Sequence, residues 1–161
     1  MHMKKTSLIS MMMAFCLSAC ATPPSPMTIS DTAAATPQLS TLTKLINDAG
    51  LTETLKEAGP YTVFAPTDDA FKAVPAKTLD ALSKDKALLI SVLTYHVVPG
   101  KVTSAEVKNG PVTTVQGALV SLYRSGSFVT VESAVVTTAD VEASNGVVHI
   151  VDQVLIPPVK K

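Results

Sequence analysis

Tryptophan is absent from this 161-residue chain, histidine occurs three times, cysteine twice, and aromatic residues make up only 4%. So few rings, imidazoles and thiols leave little material for a stacking platform or a metal cluster. Neither charge sign is in excess, with 13 Lys+Arg against 13 Asp+Glu, so the basic footprint of a nucleic-acid binder is missing and no nucleic-acid partner is expected. A hydrophobic content of 47% excludes a disordered chain. No apolar run reaches the ~18 residues of a spanning helix, so membrane attachment would have to come from elsewhere. The length fits one domain.

The first residues supply an attachment. Met1 to Lys5 carries two lysines and no acid, and the short apolar stretch Leu8 to Leu17 is followed by small residues, the pattern of a secretory signal. It ends in Leu17-Ser18-Ala19-Cys20, which resembles the lipobox of bacterial lipoproteins, in which the cysteine is acylated and becomes the first mature residue. Residues 1–19 are then the signal peptide and Cys20 the lipidation site. Cys16 leaves with the signal, so the mature domain has no thiol for a disulfide. Ala21, in place of an aspartate, points by the same resemblance to the outer membrane of a two-membraned cell. Loss of Lys4 and Lys5 leaves the mature chain two charges to the acidic side, too little to select a partner by field alone.

From Ala21 the composition shifts to Ala, Thr, Ser and Pro, so residues 20–36 read as a lipidated cysteine followed by a flexible tether with a mean span of roughly 23 Å. The domain is expected over 37–158. Thr36 and Pro37 open a helix carrying Leu39, Leu42, Leu45, Ile46 and Ala49 at helical spacing, with Gly50 as its stop. A second helix is expected from Thr52 to Ala58, a strand at Tyr61 to Phe64, a capped turn at Thr67, a helix from Pro75, and another over Lys84 to Tyr95. After Pro99 come turn signals at Gly110-Pro111, Ser125-Gly126 and Asn145-Gly146, with β-branched runs between them. Val147 to Ile156 is apolar on both faces and so reads as a central strand covered twice. Helices first and strands later make the class α+β.

Three segments stand out in order: Pro60 to Phe71, Tyr95-His96-Val97-Val98-Pro99-Gly100, and Asn145 to Asp152. Together they resemble the fasciclin domain over about Pro37 to Pro158. The resemblance implies a wedge of two β-sheets with several helices packed along one side. It also implies a single-domain bacterial lipoprotein in the cell envelope, acting in adhesion. A Tyr-His motif at this place is linked in that family to integrin-mediated adhesion, which makes Tyr95 and His96 the candidate adhesive contact.

Physical reading of the other motif residues is mainly structural. Thr67, Asp68 and Asp69 cap a helix, Phe71 turns inward, and Asn145-Gly146 supplies the positive backbone angles of a tight hairpin. His149 alternates with Val147 and Val151 on the central strand and is expected to be a buried structural residue. His96 shares a helical face with Leu89, Val92 and Leu93, the environment of a core imidazole.

No Gly-x-Ser-x-Gly sequence, phosphate-cradling loop or closely spaced histidine pair occurs, so no catalytic residue, cofactor or metal is assigned. Two functions follow. The leading one is a non-enzymatic, lipid-anchored adhesion module, joined to the membrane through acylated Cys20 and binding an envelope or extracellular protein or a polysaccharide. The alternative is a small-molecule-binding or enzymatic domain with a pocket near His96 or His149.

Overall fold

The computed structural model describes residues 27–57 and 59–158. The signal, Cys20 and the first part of the expected tether lie outside them.

Folding begins earlier than the composition implied. Thr28 caps helix α1 (Ile29–Ala35): its hydroxyl accepts the Asp31 N–H at 3.2 Å, while the Asp31 carboxylate accepts the Thr28 N–H at 3.3 Å. This reciprocal box, with Ile29 and Ala33 four residues apart and both buried, makes a docked helix out of a segment that reads as linker. Burial of Ile29 alone stabilises by about 2 kcal/mol. The tether expected over 20–36 is therefore corrected, because 29–35 belongs to the folded unit and only residues 21–27 separate Cys20 from the Thr28 cap.

Pro37 opens a 3-10 turn rather than the helix itself, and α2 runs Ser40–Ala49. Thr36 does not cap, because its hydroxyl donates to Thr32 O instead. The expected second helix shrinks to a 3-10 turn at Thr54–Lys56. Strand β1 (Tyr61–Pro66) leads into α3 (Asp68–Ala73), α4 (Ala76–Lys84) and α5 (Lys86–Tyr95). Then come β2 (Val97–Pro99), β3 (Gly110–Thr113), β4 (Leu119–Ser125), β5 (Phe128–Val131), β6 (Ala134–Ala143) and β7 (Gly146–Val151).

The strands follow the order β2-β1-β7-β6-β5-β4-β3. Strand β6 is shared: its start pairs with β5 and its remainder with β7, with register shifts after Val136 and Thr138. These bulges bend the order into two sheets joined along β6, the wedge of an α+β fold. All six residues of β7 are buried, flanked by β1 in parallel and β6 in antiparallel pairing. Val148 and Ile150 face the helices together with Leu42, Ile46, Leu89 and Leu93. Val151 points into the wedge, against Phe64, Val120, Leu122, Val129 and Val131. The strand ends at Val151 rather than Ile156. Asp152 and Gln153 turn outward, and Leu155 returns to the core at 3% exposure.

Candidate functional site

Both described imidazoles of the fasciclin-like motifs lie in the interior, at 2% exposure for His96 and 1% for His149. At the C-cap of α5, His96 donates from Nδ1 to Val92 O at 2.8 Å and accepts the Leu155 N–H at Nε2, at 3.0 Å. Its ring thus clips the C-terminal segment to the last turn of α5. Burial, only partly offset by the Val92 bond, lowers its pKa to about 4. His149 uses the opposite tautomer: Nε2 donates to Val102 O at 2.8 Å, and Nδ1 accepts the Asp140 N–H at 3.2 Å. Burial outweighs the Val102 bond and the nearby Asp140 charge, so its pKa too is lowered. Its ring stacks on Phe64, 5.6 Å between centroids.

Around His149 stands a serine and a carboxylate that sequence reading missed. Ser104 bonds to the Asp140 carboxylate through both its N–H (2.7 Å) and its hydroxyl. Asp140 occupies the bulge of β6 with φ +57°. Partial desolvation opposes its charge, but the Ser104 bonds outweigh it and hold the carboxyl below the usual range. The three residue types are those of a nucleophile, a base and an orienting acid, yet the connections are different. The carboxylate holds the serine, and the imidazole spends both nitrogens on the backbone, so His149 has no lone pair aimed at Ser104. The cluster fastens the 101–106 loop to the bulge.

Tyr95, the first residue of the candidate adhesive contact, is 3% exposed and donates its hydroxyl to Leu119 O at 3.2 Å. Direct contact of this ring with a partner is thereby corrected: the pair lies where α5 meets the wedge, and the tyrosine props the start of β4. Thr67 accepts the Ala70 N–H at 3.2 Å as the α3 cap, and Phe71 is buried. Asp68 has a different task from the one expected. Its carboxylate accepts the Thr41 N–H at 2.8 Å and the Ser40 hydroxyl at 2.7 Å, capping α2, whose own N-cap Leu39 has no side chain to do so. Desolvation opposes its charge, but these bonds outweigh it and hold its pKa low. Asp69 is exposed and pairs with Lys72 at 2.8 Å.

Asn145 and Gly146 are corrected as well. The β6–β7 turn consists of Ser144 and Asn145, since Ala143 pairs with Gly146, and Asn145 does not have positive φ. The Asn145 side chain instead gathers the neighbours: Nδ2 donates to Leu55 O (2.6 Å) and Glu57 O (3.1 Å), and Oδ1 accepts the Ile29 N–H (3.0 Å). Gly146 is glycine for contact, because a Cβ there would lie 1.8 Å from Tyr61 O.

A cavity of about 60 Å³ touches His96 among apolar neighbours from α2, β1 and α5. Room for roughly two waters, with both His96 nitrogens already bonded, does not make a polar reaction pocket. Among the described residues, the buried polar atoms left without a partner, Thr32 Oγ1 and Gln116 Oε1, lie outside that lining. Among the described residues, no three of His, Cys, Asp and Glu gather as a metal-holding group.

The open feature is on the outside of the second sheet. Leu119, Tyr123, Phe128 and Val135 are exposed on one face of β4, β5 and the start of β6. Periodicity gave no signal for it, because Leu119 and Tyr123 are hydrophobic like Val120 and Leu122 on the buried side.

Comparison with known proteins agrees with this architecture. A domain pair from the insect cell adhesion molecule Fasciclin I superposes with a TM-score of 0.65 at 17% identity, over 81% of this chain and 51% of that one, which establishes likeness of fold. Protein sll1483 of Synechocystis is 48% identical over 138 residues, covering 83% of this chain and 76% of the relative. Immunogenic protein MPB70 of Mycobacterium bovis is 42% identical over 127 residues, 76% of this chain and 65% of the relative. The cell surface glycolipoprotein MPB83 of the same species is 41% identical over the same length, 57% of its own chain. The Fasciclin domain profile matches residues 37–157, and on that match and these identities the chain belongs to the fasciclin domain family.

Proposed function

We propose that this protein is a non-catalytic interaction module of the cell envelope, anchored by lipid on Cys20 and held at the outer membrane. The observation that carries the reading is the contrast between its two chemistries. Both imidazoles are sealed into backbone hydrogen bonds, whereas an uncharged apolar sheet face is left open. The gathering of two rings and two aliphatic side chains on one exposed face supports a binding surface there. Kinship with a cell surface glycolipoprotein supports the envelope location. Tyr95 and His96 serve adhesion from within: Tyr95 braces β4 beneath the open face, and His96 holds the C-terminal segment beside it.

The short spacer sets the geometry. Residues 21–27 reach at most about 24 Å when fully extended, so the domain works close to the lipid surface. Two or more acyl chains give stable anchoring where one gives only marginal binding. Replacement Cys20→Ser is expected to move the protein from the membrane to the soluble fraction with its fold unchanged. Intact-mass analysis of the mature N-terminus checks the chemistry, and an unmodified Cys20 on protein that still sediments with membranes refutes the anchor.

A further inference from the structure

We propose that the outer face of β4 and β5 binds an uncharged, flat, β-linked polysaccharide strand. This rests on the interaction-module reading above and names its polymer. Directly paired residues in antiparallel strands present their side chains to the same side. Tyr123 pairs with Thr130, and Thr130 with Val135, so one row crosses three strands. Phe128 stands two residues from Thr130 on β5, opposite Ser125, which sets its ring diagonal to Tyr123, about 7 Å away. The two rings are 53% and 70% exposed, and they bring two of the chain's few aromatics to one face.

Charge selects among occupants. The face itself carries side chains without charge on β4 and β5, and the exposed Glu132 stands at its edge, where β5 turns into β6. Arg124 has the opposite parity on β4, and its guanidinium is bonded to Ala105 O at 2.8 Å and Gly126 O at 3.2 Å. The Glu132 carboxylate accepts the Ser121 N–H at 2.7 Å through one oxygen and keeps its charge. Arg124 keeps its charge on the opposite side of β4, so an anionic polymer finds no cation on this face and meets the Glu132 charge at its edge, while a single carboxylate does not hold a polycation; the complementary partner is an uncharged polymer. Thr130 and Ser125 stand beside the rings, opposite Tyr123 and Phe128, and Ser121 follows on the other side of Tyr123. Hydroxyls interleaved with rings suit a pyranose, which offers an apolar C–H face and equatorial hydroxyls together.

Size excludes a second copy of the chain. Six residue steps along β4 and the two strand spacings from β4 to β6 enclose about 200 Å², against about 800 Å² per partner in a stable protein interface. The platform is also prefixed: Glu132, at φ +54°, closes the β5–β6 turn and bonds back to Ser121 O through its own N–H at 2.8 Å. Little ordering therefore accompanies binding.

The test uses full-length lipoprotein in phosphatidylcholine vesicles, titrated with cellohexaose and followed by tyrosine fluorescence, which no tryptophan masks. Saturable binding is expected. Tyr123→Ala and Phe128→Ala should each weaken it roughly fivefold to tenfold without moving Tm, while Tyr123→Phe stays within about twofold, the scale of one ring contact. Equal binding of alginate, an anionic control, overturns the proposal. Retention on delipidated envelope fragments separates the remaining outcomes. If cellohexaose does not bind and the double variant is still retained, the proposal fails and the module binds through another face. If retention is lost without glycan binding, the ligand is a protein and the proposal fails in its chemistry. If the wild type binds neither glycan nor envelope, the interaction reading fails with it.

Discussion

Replacing Asn145 by alanine removes a side chain that ties α1, the 3-10 turn at Thr54–Lys56 and the β6–β7 turn together. Three hydrogen bonds go: two donated by Nδ2, to Leu55 O and Glu57 O, and one accepted by Oδ1 from the Ile29 N–H. At about 1 kcal/mol net each, the loss is about 3 kcal/mol, and the partners left unpaired beside buried Ile29 and Leu55 keep water from restoring it fully. For a domain of this size that is a fall of roughly 10 °C in Tm. Urea unfolding at neutral pH measures the free energy, and amide exchange shows where the loss falls, with the α1 amides exchanging first. Asn145→Asp is a sharper probe. It keeps the acceptor for Ile29 but sets an oxygen against two carbonyls, so it should destabilise at least as much as alanine. An alanine variant within about 1 kcal/mol of the wild type, with α1 still protected, refutes the clasp.

Gly146→Ala should prevent folding, because its Cβ would overlap Tyr61 O at 1.8 Å and force the β1–β7 pair apart; a native circular dichroism spectrum and an unchanged Tm would contradict the close approach. Stability should fall on acidification, and the sign follows from His96. Its pKa drops from the ordinary 6.5 to about 4 on folding, so the unfolded chain takes the proton first. The contribution is full above about 6.5 and fades as the pH falls toward 4, by about 3 kcal/mol in all. His149 acts in the same direction. Urea midpoints that stay constant between pH 7 and 4.5 would show that His96 is not sealed as described.

Local signals decided much of this protein. The order of helices and strands, the doubly covered β7, the Thr67 cap and the core positions of His96 and His149 all follow from periodicity and turn residues, which act within a few neighbours along the chain. The strand at β4 was legible in the same way, though not which of its faces stays open, since Leu119 and Tyr123 are large and hydrophobic like the buried Val120 and Leu122. Pairings between distant segments were not. Asp68 reads as a local cap, and only the packing of α3 on α2 turns it to the Thr41 N–H. Asn145 reads as a turn residue until α1 and the 3-10 turn come within its reach. Ser104 and Asp140 carry no motif, since thirty-six residues separate them and a bulge in β6 brings them together. The composition of 29–35 was indistinguishable from a linker's, because what makes it a helix is a core already built by the rest of the chain for Ile29 and Ala33 to enter. Sequence scarcity argued against a stacking platform, yet the β4–β5 hairpin gathers Tyr123 and Phe128 on one side. A strand fixes which way a side chain points; only the sheet decides which other side chains stand beside it, and whether anything covers them.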